Sequence, residues 1–172
     1  MHSSGVSLLL AAHNWQNFAP VKVRVFFWIA RHGNTRTRAM LHRHGCLPSP
    51  RCPFCVEEED LLHLFYRCPR LMPVFAALGV PVFTSVCNLQ DVCAALATPF
   101  AAHSPLVRHT LVLLLLWITW KSRNTMVFDA IRLSPRQTIS LVLSHGDLWL
   151  HRLPRRSSRL PLETWLAALR AL

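Results

Sequence analysis

The stretch Cys52-Pro53-Phe54-Cys55-Val56-Glu57-Glu58-Glu59-Asp60-Leu61-Leu62-His63-Leu64-Phe65-Tyr66-Arg67-Cys68 decides how the rest of the chain is read. Its spacing is Cys-x2-Cys-x7-His-x4-Cys. A Cys-x2-Cys knuckle lets two thiolates converge in one tight turn while nearby amides stabilise their charge, and zinc prefers four tetrahedral sulfur and nitrogen ligands. The intervening residues cross over and enter a helix whose His63 faces back, with Cys68 a little over one turn later. The expectation is one structural Zn2+ held by Cys52, Cys55, His63 and Cys68. Four protein ligands leave no open position, so the metal contributes folding energy and activates no water. Cys46, His42 and His44 lie near enough in sequence to be rival ligands. Arg51, Arg67 and Arg70 are placed to offset the excess negative charge of three thiolates.

Around that stretch the pattern is helical. Residues 47–53 form a proline-rich loop delivering the first two cysteines, and 58–66 read as a helix carrying His63, with Glu57, Glu58, Glu59 and Asp60 as a charged first turn complementing the helix dipole. Upstream, Pro20 opens Val21–Arg31, whose aromatic and aliphatic residues fit one helical face, a strand being the alternative. Gly33 breaks it. Asn34 or Thr35 caps a second helix over 36–44, which Gly45 ends. Downstream, helices are expected over 88–97 and 105–128, the latter with Leu111, Leu114, Leu115 and Ile118 at core spacing. Ser134-Pro135 starts another through Trp149, and a final amphipathic segment covers 162–169. Cys87 and Cys93 sit in apolar context and read as core residues. The fold class is therefore mainly α: a small zinc-stapled helical domain over 15–80, then a helical extension over 81–172 with a basic linker at 151–159.

Composition bounds the function. With 52% hydrophobic and only 16% charged residues, 172 residues suffice for a packed core. The formal charge of +11 arises from 19 Lys and Arg against 8 Asp and Glu, and no acidic residue precedes Glu57. A basic face of this kind favours polyanions through phosphate neutralisation. Lys22, Arg24, Arg31, Arg36, Arg38 and Arg43 are the candidate phosphate contacts, a solvated helix surface being the plainer alternative. Among the aromatics, Phe26, Phe27, Trp28, Trp117, Trp120 and Trp149 belong mostly to the core, with base stacking as the other option. Residues 7–12 are too short for a signal-peptide core and lack a basic flank, which predicts a reducing compartment and free thiols despite six cysteines. The longest apolar run, 111–118, falls far below the about 20 residues needed to cross a bilayer.

These residues resemble a known family, the zinc-binding domain that follows the reverse transcriptase in plant non-LTR, LINE-type retrotransposons. Trp15, Pro20, Lys22, Phe26, Phe27, Trp28, Thr37, Leu41, Cys52, Cys55, His63 and Cys68 occur here in the family's order. Residues 116–128, with Trp117, Trp120, Arg123, Asn124 and Phe128, are similar to a Trp-x2-Trp-x-x-Arg-Asn-x-x-x-Phe stretch found downstream of that domain in plant relatives. The gap between Cys55 and His63 is slightly short for the family. The resemblance implies an accessory, nucleic-acid-associated module that is intracellular and nuclear, with RNA or DNA as partner and neither a membrane nor a small-molecule substrate. No Tyr-x-Asp-Asp pair and no four-carboxylate ribonuclease H set is present, so no enzyme is expected. A different class of reading is a scaffold whose helices after Pro105 dock a protein partner; a third is a retroelement relic without function.

Overall fold

Most helices begin where a side chain or a proline takes charge of the free amide groups of the first turn. The computed structural model describes residues 17–153 and 156–171, so Trp15, residues 7–12 and the middle of the basic linker lie outside the described residues. Helix α1, Val21–Arg31, follows Pro20, whose carbonyl accepts from the amides of Val23 and Arg24. Helix α2, Arg38–Arg43, is capped by the Thr37 hydroxyl, which accepts from Met40 N at 3.2 Å. It is shorter than the expected 36–44, because the cap is Thr37, in extended conformation with its hydroxyl on Met40 N, and not Asn34 or Thr35. After α3, Met72–Leu78, the Asn88 side chain caps α4, Leu89–Ala97, and Ser104 caps α5, Pro105–Asp129. A reciprocal Ser134 and Gln137 capping box opens α6, Pro135–Leu150. The last helix, α7, spans Arg156–Arg170 and starts earlier than the amphipathic pattern at 162–169. Among the described residues there is no strand, only an isolated antiparallel bridge between Arg51 and Glu58.

Helix α5 is the axis of the molecule. Leu111, Val112, Leu113, Leu114, Leu115 and Leu116 are all buried, so the helix is apolar around its whole circumference and has neighbours on every side. Helices α1, α4, α6 and α7 pack on it, as does the turn His63–Arg67. One continuous hydrophobic core results, running from Ala19 on the approach to α1 to Leu169 in α7. Gly146 lets α6 and α7 pack closely: a Cβ there would stand 2.6 Å from Leu166 Cδ2. Phe26 is the hinge between α1 and α5, stacked on Trp120 at 5.7 Å and edge-on to Trp117 at 5.4 Å. Of the six aromatics weighed as stacking residues, Phe26, Phe27 and Trp149 are buried, Trp117 and Trp120 are half-buried, and Trp28 is exposed.

The acidic run departs most from expectation. Helical structure begins at residue 61, not 58, and Asp60 supplies the cap, its carboxylate accepting from His63 N at 2.6 Å. Glu59 is no part of a solvated first turn: it is 1% exposed, and Arg123 on α5 meets it. The Arg123 guanidinium donates from Nε to both carboxylate oxygens at 3.1 Å and from Nη2 to Oε1 at 2.5 Å. The remaining Arg123 donors reach Arg36 O and Asn124 Oδ1, and Glu59 Oε1 also accepts from Arg38 N at 2.9 Å. The pair thus ties the cysteine loop, the start of α2 and the far half of α5 together. Removing one partner strands the other charge in the interior. Glu59→Gln or Arg123→Met is therefore expected to destabilise the zinc-loaded protein by about 3–5 kcal/mol in urea unfolding, whereas a Glu59→Leu/Arg123→Met double variant recovers most of the loss. A cost below about 1 kcal/mol for both single variants, the level of an exposed pair, would refute this role.

Candidate metal centre

The four ligands arrive on two local structures. In the first, Cys52 N donates to Glu57 O at 2.8 Å and Glu59 N to Pro50 O at 2.9 Å, so the chain folds back on itself with Cys52 and Cys55 at the tip. Phe54 N points at Cys52 Sγ, 3.4 Å away, the amide-to-sulfur contact a thiolate needs. In the second, residues His63–Arg67 form a π-helical turn, and Cys68 N donates to His63 O at 3.0 Å. That bond spans five residues. In an α-helix, at 3.6 residues per turn, a five-residue step carries the side chain well past one full turn; the wider π turn brings Cys68 back beside His63.

The sulfur and nitrogen atoms converge. Cys52 Sγ and Cys68 Sγ are 3.8 Å apart, Cys55 Sγ and His63 Nε2 are 3.3 Å apart, and all four ligand atoms lie within 4.8 Å of one another. Zinc at 2.3 Å from each sulfur of a tetrahedron implies a sulfur–sulfur edge of about 3.8 Å, so the donor set and its dimensions fit the ion. Cys52, His63 and Cys68 are buried and Cys55 half-buried, which shields the site. The rivals go elsewhere: His42 Nδ1 contacts Leu47 O, Cys46 donates to His44 O, and all three residues are exposed. Among the described residues this is the one cluster with metal-ligand geometry. Cys93 is a fully buried core thiol, pushed up to about 12 by burial, as expected. Cys87 is not: it is exposed, and its amide and thiol both donate to the Asp91 carboxylate.

Without metal, the thiols resist ionising together. Cys52 is pushed up to about 12, chiefly because its thiol donates to Cys68 and because it is buried; Cys68 is correspondingly lowered by accepting that bond. Burial also raises Cys55. Of the three arginines expected to balance the thiolates, only Arg70 does so. Its charge stabilises the Cys68 thiolate while it stacks on Phe54 at 4.3 Å and donates to Ser122 Oγ and Thr119 O of α5. Arg51 is exposed, and Arg67 turns away to donate to Val86 O. Of the candidate phosphate contacts, Lys22, Arg36 and Arg43 are exposed and Arg24, Arg31 and Arg38 half-buried. Lys22 and Arg36 border one cavity and Arg36 and Arg38 a second; Arg24 and Arg31 border others. Sequence reading singled out Arg70 but missed Glu59 as a support of the site, although Arg123, the partner of Glu59, was visible in the Trp-x2-Trp-x-x-Arg-Asn stretch.

Purified protein is expected to carry one zinc per chain by elemental analysis, lost in His63→Ala and Cys68→Ser and kept in Cys46→Ser and Cys87→Ser; retention by the first two would exclude this ligand set. Because protons and zinc compete for Cys52 and Cys55, both raised in the free protein, apparent zinc affinity should rise with pH across the neutral range and fall on acidification. Competition against a chromophoric chelator measures it, and a flat profile would contradict the protonated-thiol account. No curated protein and no solved structure matches the chain. The family described as zinc-binding in reverse transcriptase matches residues 2–73, less than half of the 172 residues but a span containing all four ligands. In that first part the chain is similar to the zinc-binding domain of reverse transcriptases.

Proposed function

We propose that the protein is a non-catalytic, zinc-stapled module that associates with RNA or DNA through the phosphate backbone. The observation that carries this reading is a set of cations without carboxylate partners. Among the described residues the Lys and Arg ion pairs are Arg123 with Glu59 and Arg170 with Asp147, neither on α1 or α2. Lys22, Arg24, Arg31, Arg36, Arg38 and Arg43 therefore keep their charge for an external anion, on a chain with net charge +11. Mostly arginine, they suit bidentate phosphate contacts. Zinc with four protein ligands supplies shape and stability, not a reacting centre.

The similarity of residues 116–128 to a stretch in plant retroelements supports an origin in a plant LINE-type element, and a nuclear site of action follows from that origin. No single described helix is long and apolar enough to cross a membrane. In fluorescence-anisotropy titrations with labelled RNA and DNA, log affinity should fall linearly with log salt, with a slope of about −0.7 to −0.9 per phosphate neutralised. Arg36→Ala and Arg43→Ala should each make the slope shallower by about one unit while leaving zinc content unchanged. Absence of binding at low salt would reject the reading.

A further inference from the structure

We infer that two adjoining cavities beside Trp120 form a groove that takes unpaired bases of single-stranded nucleic acid; the inference rests on the nucleic-acid reading above and deepens it. The first cavity, of about 500 Å³, lies between α1, the 34–36 segment and α5, and its walls include Lys22, Phe26, Asn34, Thr35, Arg36 and Trp120. The second, of about 480 Å³, shares Arg36 and Trp120 and continues along α5 past Asn124 to Phe128. Both volumes lie in the range of small-molecule sites.

Three observations point to a base as the occupant. Thr35 is 4% exposed, its hydroxyl has no hydrogen-bond partner, and it stands in the wall of the first cavity. A buried hydroxyl left unpaired is costly, and a base that presses into this wall and opens the hydroxyl to its hydrogen-bonding edge would satisfy it. The aromatic surface comes next. Trp120 is fixed by the Phe26 ring and by Arg123, whose guanidinium carbon lies 5.3 Å from its ring centre, and Phe128 is 76% exposed at the far end of the groove. Of the two rings Phe128 is the exposed one, and an exposed aromatic ring is a platform on which an unpaired base stacks. The third observation is the charge: exposed Lys22 and Arg36, free of acidic partners, border the first cavity where a connecting phosphate would pass. A duplex keeps its base faces stacked inside and offers none to a recessed cavity, so the groove selects single strands.

The test uses the zinc-loaded full chain and fluorescent single strands about 12 nucleotides long, of uridine and of thymidine, against an abasic strand of equal length and a duplex. Intact single strands should bind at least about fivefold more tightly than the abasic strand, as stacking of one or more bases requires. Thr35→Val, which keeps the side-chain shape, and Phe128→Ala, which alters an exposed residue, should bring intact strands toward the abasic affinity while leaving abasic binding and zinc content unchanged. The uridine and thymidine strands report whether RNA or DNA occupies the groove better. Equal affinity for intact, abasic and duplex probes would overturn the groove and leave phosphate association standing. Failure of every probe to bind would overturn both.

Discussion

A carboxylate almost wholly out of water is tolerable only if something replaces the water, and Glu59 has that replacement in full. Arg123 brings two donor nitrogens and Arg38 a backbone amide. The pair joins residues 64 positions apart, and three otherwise independent pieces meet on it: the cysteine loop, the entry to α2 and the last turns of α5. Apolar packing of α5 would hold the helices together without it. What packing does not supply is direction, since a loop of prolines and charges has little surface to bury. The ion pair fixes which way that loop faces, and the zinc ligands depend on its facing α5.

The metal centre adds a second, parallel link. Arg70 bridges from the thiolates through the Phe54 ring to Ser122 and Thr119, one and four residues before Arg123 on the same helix. Both links end on the stretch of α5 that also carries Trp120. The Trp, Arg and Asn of that motif are thus explained by position: Trp120 receives Phe26 from α1, Arg123 receives Glu59, and Asn124 occupies the remaining guanidinium donor. The motif is the docking edge for the zinc-bearing part of the chain.

Much of this was legible in the residues. Cys-x2-Cys with a histidine and a fourth cysteine specified the ligands because spacing encodes convergence, and Ser134-Pro135 and Asn88 specified helix starts because capping is local. What escaped was non-local or competitive. Glu59 sits in a run of four acidic residues, and nothing in the run distinguishes the one that is buried, since its partner lies on a distant helix. Asn34, Thr35 and Thr37 are all competent caps; the choice fell to Thr37 once the cysteine loop positioned Arg38 N over Glu59. Cys87 has apolar neighbours in sequence but stands beside the solvated start of α4, where the Asp91 carboxylate attracts it.

The π turn sets which parts of the metal-binding pattern can vary. His63 and Cys68 are locked in register by one hydrogen-bonded ring, so inserting or deleting a residue between them would rotate one ligand away from the other by roughly a quarter of a turn. The stretch between Cys55 and His63 is built otherwise: one arm, paired through Glu58 with Arg51 on the other side of Cys52, and then an entry capped by Asp60. The gap there, slightly short for the family, still brings all four ligand atoms within 4.8 Å of one another. The pattern has one interval set by a single local ring and one set by contacts outside it, and a search for distant relatives should hold the first constant and let the second float.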